Sequence, residues 1–417
     1  MPVLGVTFGI LMPLVSGLIY PTYTNYMPQP WLETTRLLEF PFVAAELVII
    51  VWALATGMDS VRFWRSLSLD TRIALVVFLI GLFVSSILIS ANPPYSLLIS
   101  LTTAVHLIFA VSLVHLLRKF GAGGRKLFLL LHGVGLIFLA IYTAWRFEFA
   151  PDPSLVPGGQ IRWDNAIPGF ISVRHLGSWT GAIAAAFAMR ILFLRNGTGL
   201  NIYHFFYFIS ASFTIWSGTR TAILSMIVVL VIMVLSLRKL PELRHILIAI
   251  ILTVLAFGAA WMVLPDHPAF LLYTASDTQS GHNMMSGRDE LWAMTWDRWL
   301  ESPIFGWGSG STFWEVYIGW THTQPHNAFL QFLISWGVVG ACGALWLLAK
   351  AIRTAHESAV GIGDGIVYLA MLYSLLFQSM FEGMLHYPRF IISIVLLFVI
   401  LIVTDQNEPE NRSIRSA

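Results

Sequence analysis

The chain reads as a succession of apolar runs, most of about 20 residues, separated by short polar breaks. A run of that length is what a helix needs to cross a bilayer core, where the backbone must satisfy its own hydrogen bonds. The runs fall at 2–20, 39–57, 73–91, 95–117, 126–145, 171–194, 200–217, 220–237, 245–264, 326–350, 362–383 and 388–404. The predicted fold is therefore all-α and polytopic, a single integral membrane domain over residues 1–417 with about 12 transmembrane helices. The tightest break is Ser217-Gly218-Thr219, between the seventh and eighth runs. The first run lacks a basic flank and a small-residue cleavage site, so it reads as a span and not as a signal peptide.

Two breaks are long. One spans residues 146–170 and is kept irregular by Pro151, Pro153, Pro157 and Pro168. The other, 265–325, contains Ser286-Gly287-Arg288-Asp289, a capping-box pattern that predicts a helix over about residues 287–301. Trp292, Trp296 and Trp299 share one face of that helix. Such a stripe suits either the membrane interface or packing against the ends of neighbouring spans. Gly306-Trp307-Gly308-Ser309-Gly310 then reads as a flexible turn.

Composition agrees with the pattern. Hydrophobic residues make up 57% of the chain and charged residues 11%, against about 25% charged in a soluble domain. The charges orient the helices. With the N-terminus cytoplasmic, the inner loops hold all four lysines and most of the arginines, as the positive-inside rule requires. Both termini are then cytoplasmic and both long breaks lie outside. The eight outer cations are all arginine: Arg36, Arg146, Arg162, Arg174, Arg220, Arg288, Arg298 and Arg389. The single cysteine, Cys342, lies in an apolar stretch and is expected to be a buried free thiol.

The sixth, eighth, tenth and twelfth spans begin on the outer side, and near their starts stand Arg174-His175, Arg220, His326-Asn327 and Arg389. Helix N-termini expose free N–H groups that attract anions, and the arginine fork matches phosphate oxygens. If these ends converge, they make a site for a phosphate-bearing lipid. Any one of these arginines could instead anchor the span in lipid headgroups. His326, at a helix start, could serve as a base or merely cap. Glu46, deep in the second span, must face protein or a cavity, as a structural acid or a reactive one. Glu382 is a further candidate for acid–base work. The acids of the second long break are scattered without metal-ligand spacing, and no phosphate-binding loop or nucleic-acid surface is present.

Ser217-Gly218-Thr219-Arg220-Thr221-Ala222, Ser286-Gly287-Arg288, Ser302-Pro303-Ile304-Phe305-Gly306-Trp307-Gly308, Gln324-Pro325-His326-Asn327-Ala328-Phe329-Leu330-Gln331 and Gly337-Val338-Val339-Gly340 together resemble the O-antigen ligase/polymerase family. The resemblance implies a multi-pass glycosyltransferase of the bacterial inner membrane with a periplasmic active site. The donor would be a glycan on undecaprenyl pyrophosphate, and neither metal nor cofactor would take part. It implies His326 as the base toward the acceptor hydroxyl, and Arg220 and Arg288 as ligands of the pyrophosphate. Arg174, Arg146, Arg389 and Asn327 would be further substrate-binding residues. The ligase branch uses a lipid A–core acceptor; the alternatives are an O-antigen or exopolysaccharide polymerase and a protein O-oligosaccharyltransferase. Outside the family, the alternative is a transporter of lipid-linked glycan, although transporters place their sites near the midplane of related halves.

Overall fold

A computed structural model describes residues 39–121, 125–148, 170, 172–194, 199–264, 288–310, 324–360 and 364–404. Its helices are α1 (Phe40–Ala55), α2 (Ser60–Ser66), α3 (Leu69–Val84), α4 (Pro93–Phe120), α5 (Arg125–Glu148), α6 (Val173–Phe193) and α7 (Ile202–Trp216). They continue as α8 (Arg220–Leu237), α9 (Leu243–Met262), α10 (Arg288–Leu300), α11 (Ala328–Val360), α12 (Gly365–Glu382) and α13 (Pro388–Thr404). Every predicted span after the first coincides with one of these; the first lies outside the described residues. Eight are long and apolar enough to cross a membrane. The helix α1 bends by 94° into the short α2, which buries no residue and carries Arg62 and Arg65.

The core forms around α6. Its run of Gly177, Ser178, Thr180, Gly181, Ala182 and Ala184–Ala186 has little side-chain bulk, so neighbouring helices come close, and nearly the whole helix is buried. It packs against α7, α8 and α12. At Gly177 the approach is closest: a Cβ there would overlap the hydroxyls of Ser217 and Thr219, in the turn joining α7 to α8. Outward-facing apolar side chains stay uncovered, with Val48, Leu88, Leu235, Val254 and Met262 each more than half exposed. That is the surface lipid covers. Inside, Glu46 is buried and bonded to His106 at 2.7 Å, the arrangement of a structural acid.

A second feature joins two of the sequence motifs. The helix α11 breaks at Gly337 (φ 60°, ψ −168°), a conformation open to glycine. The segment Pro303–Gly308 fills the break. Trp307 and Gly308 donate to the carbonyls of Ile334 and Ser335 at 2.7 and 3.0 Å. Val338 and Val339 donate to the carbonyls of Pro303 and Ile304 at 2.8 and 3.1 Å. Loop backbone thus replaces the interrupted helical ladder, as it must at membrane depth. Ser309 beyond it bonds Ser100 and Trp336 at 2.8 and 2.7 Å. The expected flexible turn at 306–310 is therefore a bonded insertion with Gly306, Gly308, Ser309 and Gly310 buried, because the broken helix supplies its partners. Cys342 also departs from expectation: it is exposed on α11, on a side of the helix turned away from the core. On α10, Trp292 and Trp299 pack against the cluster around Phe78 and Trp336, while Trp296 stays 43% exposed. The packing reading of the stripe therefore holds for Trp292 and Trp299.

Candidate active site

The starts of α6, α8, α11 and α13 meet at one end of the bundle, joined there by the end of α12 and the start of α10. Ser172 caps α6 through the Arg174 N–H at 3.2 Å. The Arg174 guanidinium then turns to the α7–α8 turn, donating to the Ser217 carbonyl at 3.1 Å and to that of Gly218. Within the turn the Ser217 and Thr219 hydroxyls bond each other at 2.8 Å. Arg174 thereby holds the segment from which α8 starts, and Arg220, its first residue, is exposed.

The next residue, Thr221, donates to Glu382 Oε1 at 3.0 Å, and Arg288 Nη2 donates to the same oxygen at 2.7 Å. Glu382, the last residue of α12, is nearly buried, while the Arg288 side chain keeps 20% of its surface exposed. This carboxylate ties α8, α10 and α12 together. It also fixes one edge of the Arg288 fork and leaves the rest of that guanidinium partly open.

Glu382 is followed by Gly383, where a Cβ would overlap the Gln324 amide, so the ion pair and the His326 loop are neighbours. His326 has a left-handed backbone (φ 52°), uncommon for a non-glycine residue and characteristic of constrained sites. Its backbone N–H donates to Gln324 Oε1 at 3.1 Å, and its ring Nδ1 lies 3.2 Å from Gln324 Nε2. The same amide nitrogen is 3.5 Å from the Tyr387 hydroxyl. Tyr387 in turn packs its ring on His175 at 4.4 Å. Asn327 accepts the Leu330 N–H at 3.0 Å and so caps α11; its side-chain oxygen serves the helix. Trp292 ties α10 to this loop by donating to the Pro325 carbonyl at 2.9 Å.

Two of the sequence-derived arginines stand differently. Arg389 is fully enclosed, its Nε 2.5 Å from Glu39 Oε1 and its N–H 2.9 Å from Oε2, with Phe42 and Phe170 on its guanidinium. Its charge is met by protein, which makes it a strut between α13 and the start of α1. Arg146 lies on the last turn of α5, beside Phe147, whose ring meets Trp216 at 5.3 Å. An apolar cavity of about 350 Å³ opens there, lined by Ala140, Phe147, Phe213, Trp216, Ala260 and Val263 among others, one residue from the Ser217 turn. The sequence reading gave no role to Gln324, Tyr387 or Glu39. Gln324 stood in plain view inside the Gln-Pro-His-Asn motif; Glu39 is 350 residues from its partner and carried no such sign.

Comparison with known proteins bears on the same residues. The O-antigen ligase family model matches residues 205–345. That segment contains Arg220, Arg288, His326, Asn327 and Gln324, and the break in α11 with its inserted loop. Arg146, Arg174, Glu382 and Arg389 lie outside it. No curated protein matches the chain.

Proposed function

We propose, from the match of residues 205–345 to the O-antigen ligase family model, that the chain moves a glycan from undecaprenyl pyrophosphate to a sugar hydroxyl of lipid A–core. The reaction takes place at the periplasmic face of the bacterial inner membrane. The observation that carries this reading is the junction of Arg288, Glu382 and Thr221 beside the Gln324–His326 loop. It sets cations and helix starts together at one end of the bundle, where a pyrophosphate would meet them.

In the transfer, the acceptor oxygen bonds the anomeric carbon from the face opposite the pyrophosphate and inverts it. The bond from that carbon to the pyrophosphate oxygen breaks, and its electron pair leaves with the phosphate. Arg220 and Arg288 hold that developing charge in place of a metal ion. The apolar cavity beside Trp216 suits the isoprenoid chain of the donor. A histidine in this loop can take the acceptor's proton, the role its sequence context implies, or donate to the departing oxygen. Gln324 decides between the two.

Deleting the gene and separating the cell's lipopolysaccharide on a gel tests the assignment. Loss of a ligase leaves bare core while lipid-linked glycan accumulates. Core bearing one repeat would identify a polymerase instead, and unchanged lipopolysaccharide would refute both.

A further inference from the structure

We propose that Gln324 fixes the proton of His326 on Nε2, so that His326 enters the reaction as a hydrogen-bond donor and not as its base. The role presupposes the glycosyl transfer proposed for this site; the tautomer does not.

The two ends of a glutamine amide are ordinarily assigned from their surroundings. Here one neighbour is unambiguous. The backbone N–H of His326 can only donate, so the amide atom 3.1 Å from it is the carbonyl oxygen. The NH₂ group is then the atom facing the ring, 3.2 Å from Nδ1. An amide nitrogen has hydrogens to give and no lone pair to offer, so Nδ1 must accept. A neutral imidazole that accepts at Nδ1 carries its hydrogen on Nε2. The imidazolium would carry N–H on both nitrogens and would set two donors against each other across that contact.

The clamp is built into the fold. Gln324 is 2% exposed. Gly383 presses on its amide without room for a Cβ, and the Tyr387 hydroxyl lies 3.5 Å from the NH₂ nitrogen. The left-handed backbone of His326 lets one residue offer both its N–H and its ring to a single amide.

The chemical consequence is a change of role. The Nδ1 lone pair, the one a base would use, is engaged by Gln324. What Nε2 meets, it meets as N–H. During transfer that N–H stabilises the oxygen leaving the anomeric carbon, alongside the arginines. The acceptor's proton is lost to water on the acceptor side, on the face opposite the pyrophosphate. One C–O bond forms and one breaks, the electron pair leaves with the pyrophosphate oxygen that the Nε2 N–H stabilises, and the hydroxyl hydrogen ends on water.

The Gln324→Glu variant reverses the clamp with almost no change of shape. A carboxylate still accepts the backbone N–H but can only accept from the ring, which moves the proton to Nδ1. Transfer kcat should fall by about 10²-fold or more, as when a charge-stabilising donor is removed, with the donor KM little altered. His326→Gln, which can still donate, should outperform His326→Ala. A Gln324→Glu enzyme with undiminished kcat, or a His326→Gln enzyme as inactive as His326→Ala, would overturn the donor role. The tautomer has its own readout: ¹⁵N spectra of histidine-labelled wild-type protein, with His326→Gln for assignment, should show Nε2 protonated and Nδ1 bare. A proton on Nδ1 would refute the clamp. The expected tautomer together with normal transfer by His326→Ala would leave the clamp standing and remove the transfer reading.

Discussion

Glu382 accepts from two donors on different helices, Thr221 of α8 and Arg288 of α10, and is itself almost out of water. Its charge therefore does positional work: it holds the Arg288 fork at one orientation. Replacing Glu382 by Gln keeps the shape and one acceptor but removes the ionic attraction. Transfer should fall about 10- to 100-fold, the cost of a catalytic group held loosely. Arg288→Lys should fall at least as far, because an ammonium cannot reproduce the bidentate geometry of a guanidinium. Initial rates in membranes containing equal amounts of each variant check both. Wild-type rates for Arg288→Lys would mean that charge alone suffices. At this scale the sequence was informative where a motif concentrated the residues, as around His326 and Arg288. It was silent on the Glu39–Arg389 pair, which only folding brings together.

Among the elements, the helices after the first apolar run were legible because a membrane helix declares itself by length and hydropathy, and eight of those described are long and apolar enough to cross a membrane. The break in α11 was not. Residues 328–350 form one apolar run, and nothing local separates a continuous helix from one opened at Gly337. The cause is tertiary: four backbone bonds from the 303–308 segment take over the ladder where the helix gives it up. The close approach calls for glycine on both sides: a Cβ on Gly306 would overlap the backbone of Gly337, and a Cβ on Gly337 would overlap the backbone of Ile304 and Phe305. Gly337→Ala combines an unfavourable φ with overlap against the Ile304 carbonyl, and should cost about 2–4 kcal/mol. Gly258→Ala, where a Cβ meets open space, is the control and should change little. Thermal melting of the two purified variants in one detergent measures the difference. Equal melting temperatures would mean that the loop does not depend on the break.

For the whole molecule, the small-residue face of α6 lets the α7–α8 turn settle against it, and this sets Arg174, Arg220 and Thr221 at the level of Glu382. The inserted loop does the same for the other half, connecting α10 to α11 between Arg288 and His326. That four helix starts lie at one side was readable from alternation and charge, and their convergence there was not. Which of their side chains face each other was not, since it depends on helix order in space. The central claim is that this junction transfers a glycan from a lipid pyrophosphate without a metal ion. The direct measurement is transfer by the purified protein in lipid vesicles, with undecaprenyl-pyrophosphate glycan and lipid A–core in the presence of EDTA, for wild type and His326→Ala. The account predicts full wild-type activity in EDTA and a loss of about 10²–10³-fold in the variant, which should still melt like wild type. Wild-type activity that vanishes in EDTA and returns with Mg²⁺, or a His326→Ala protein that transfers at the wild-type rate, would contradict it.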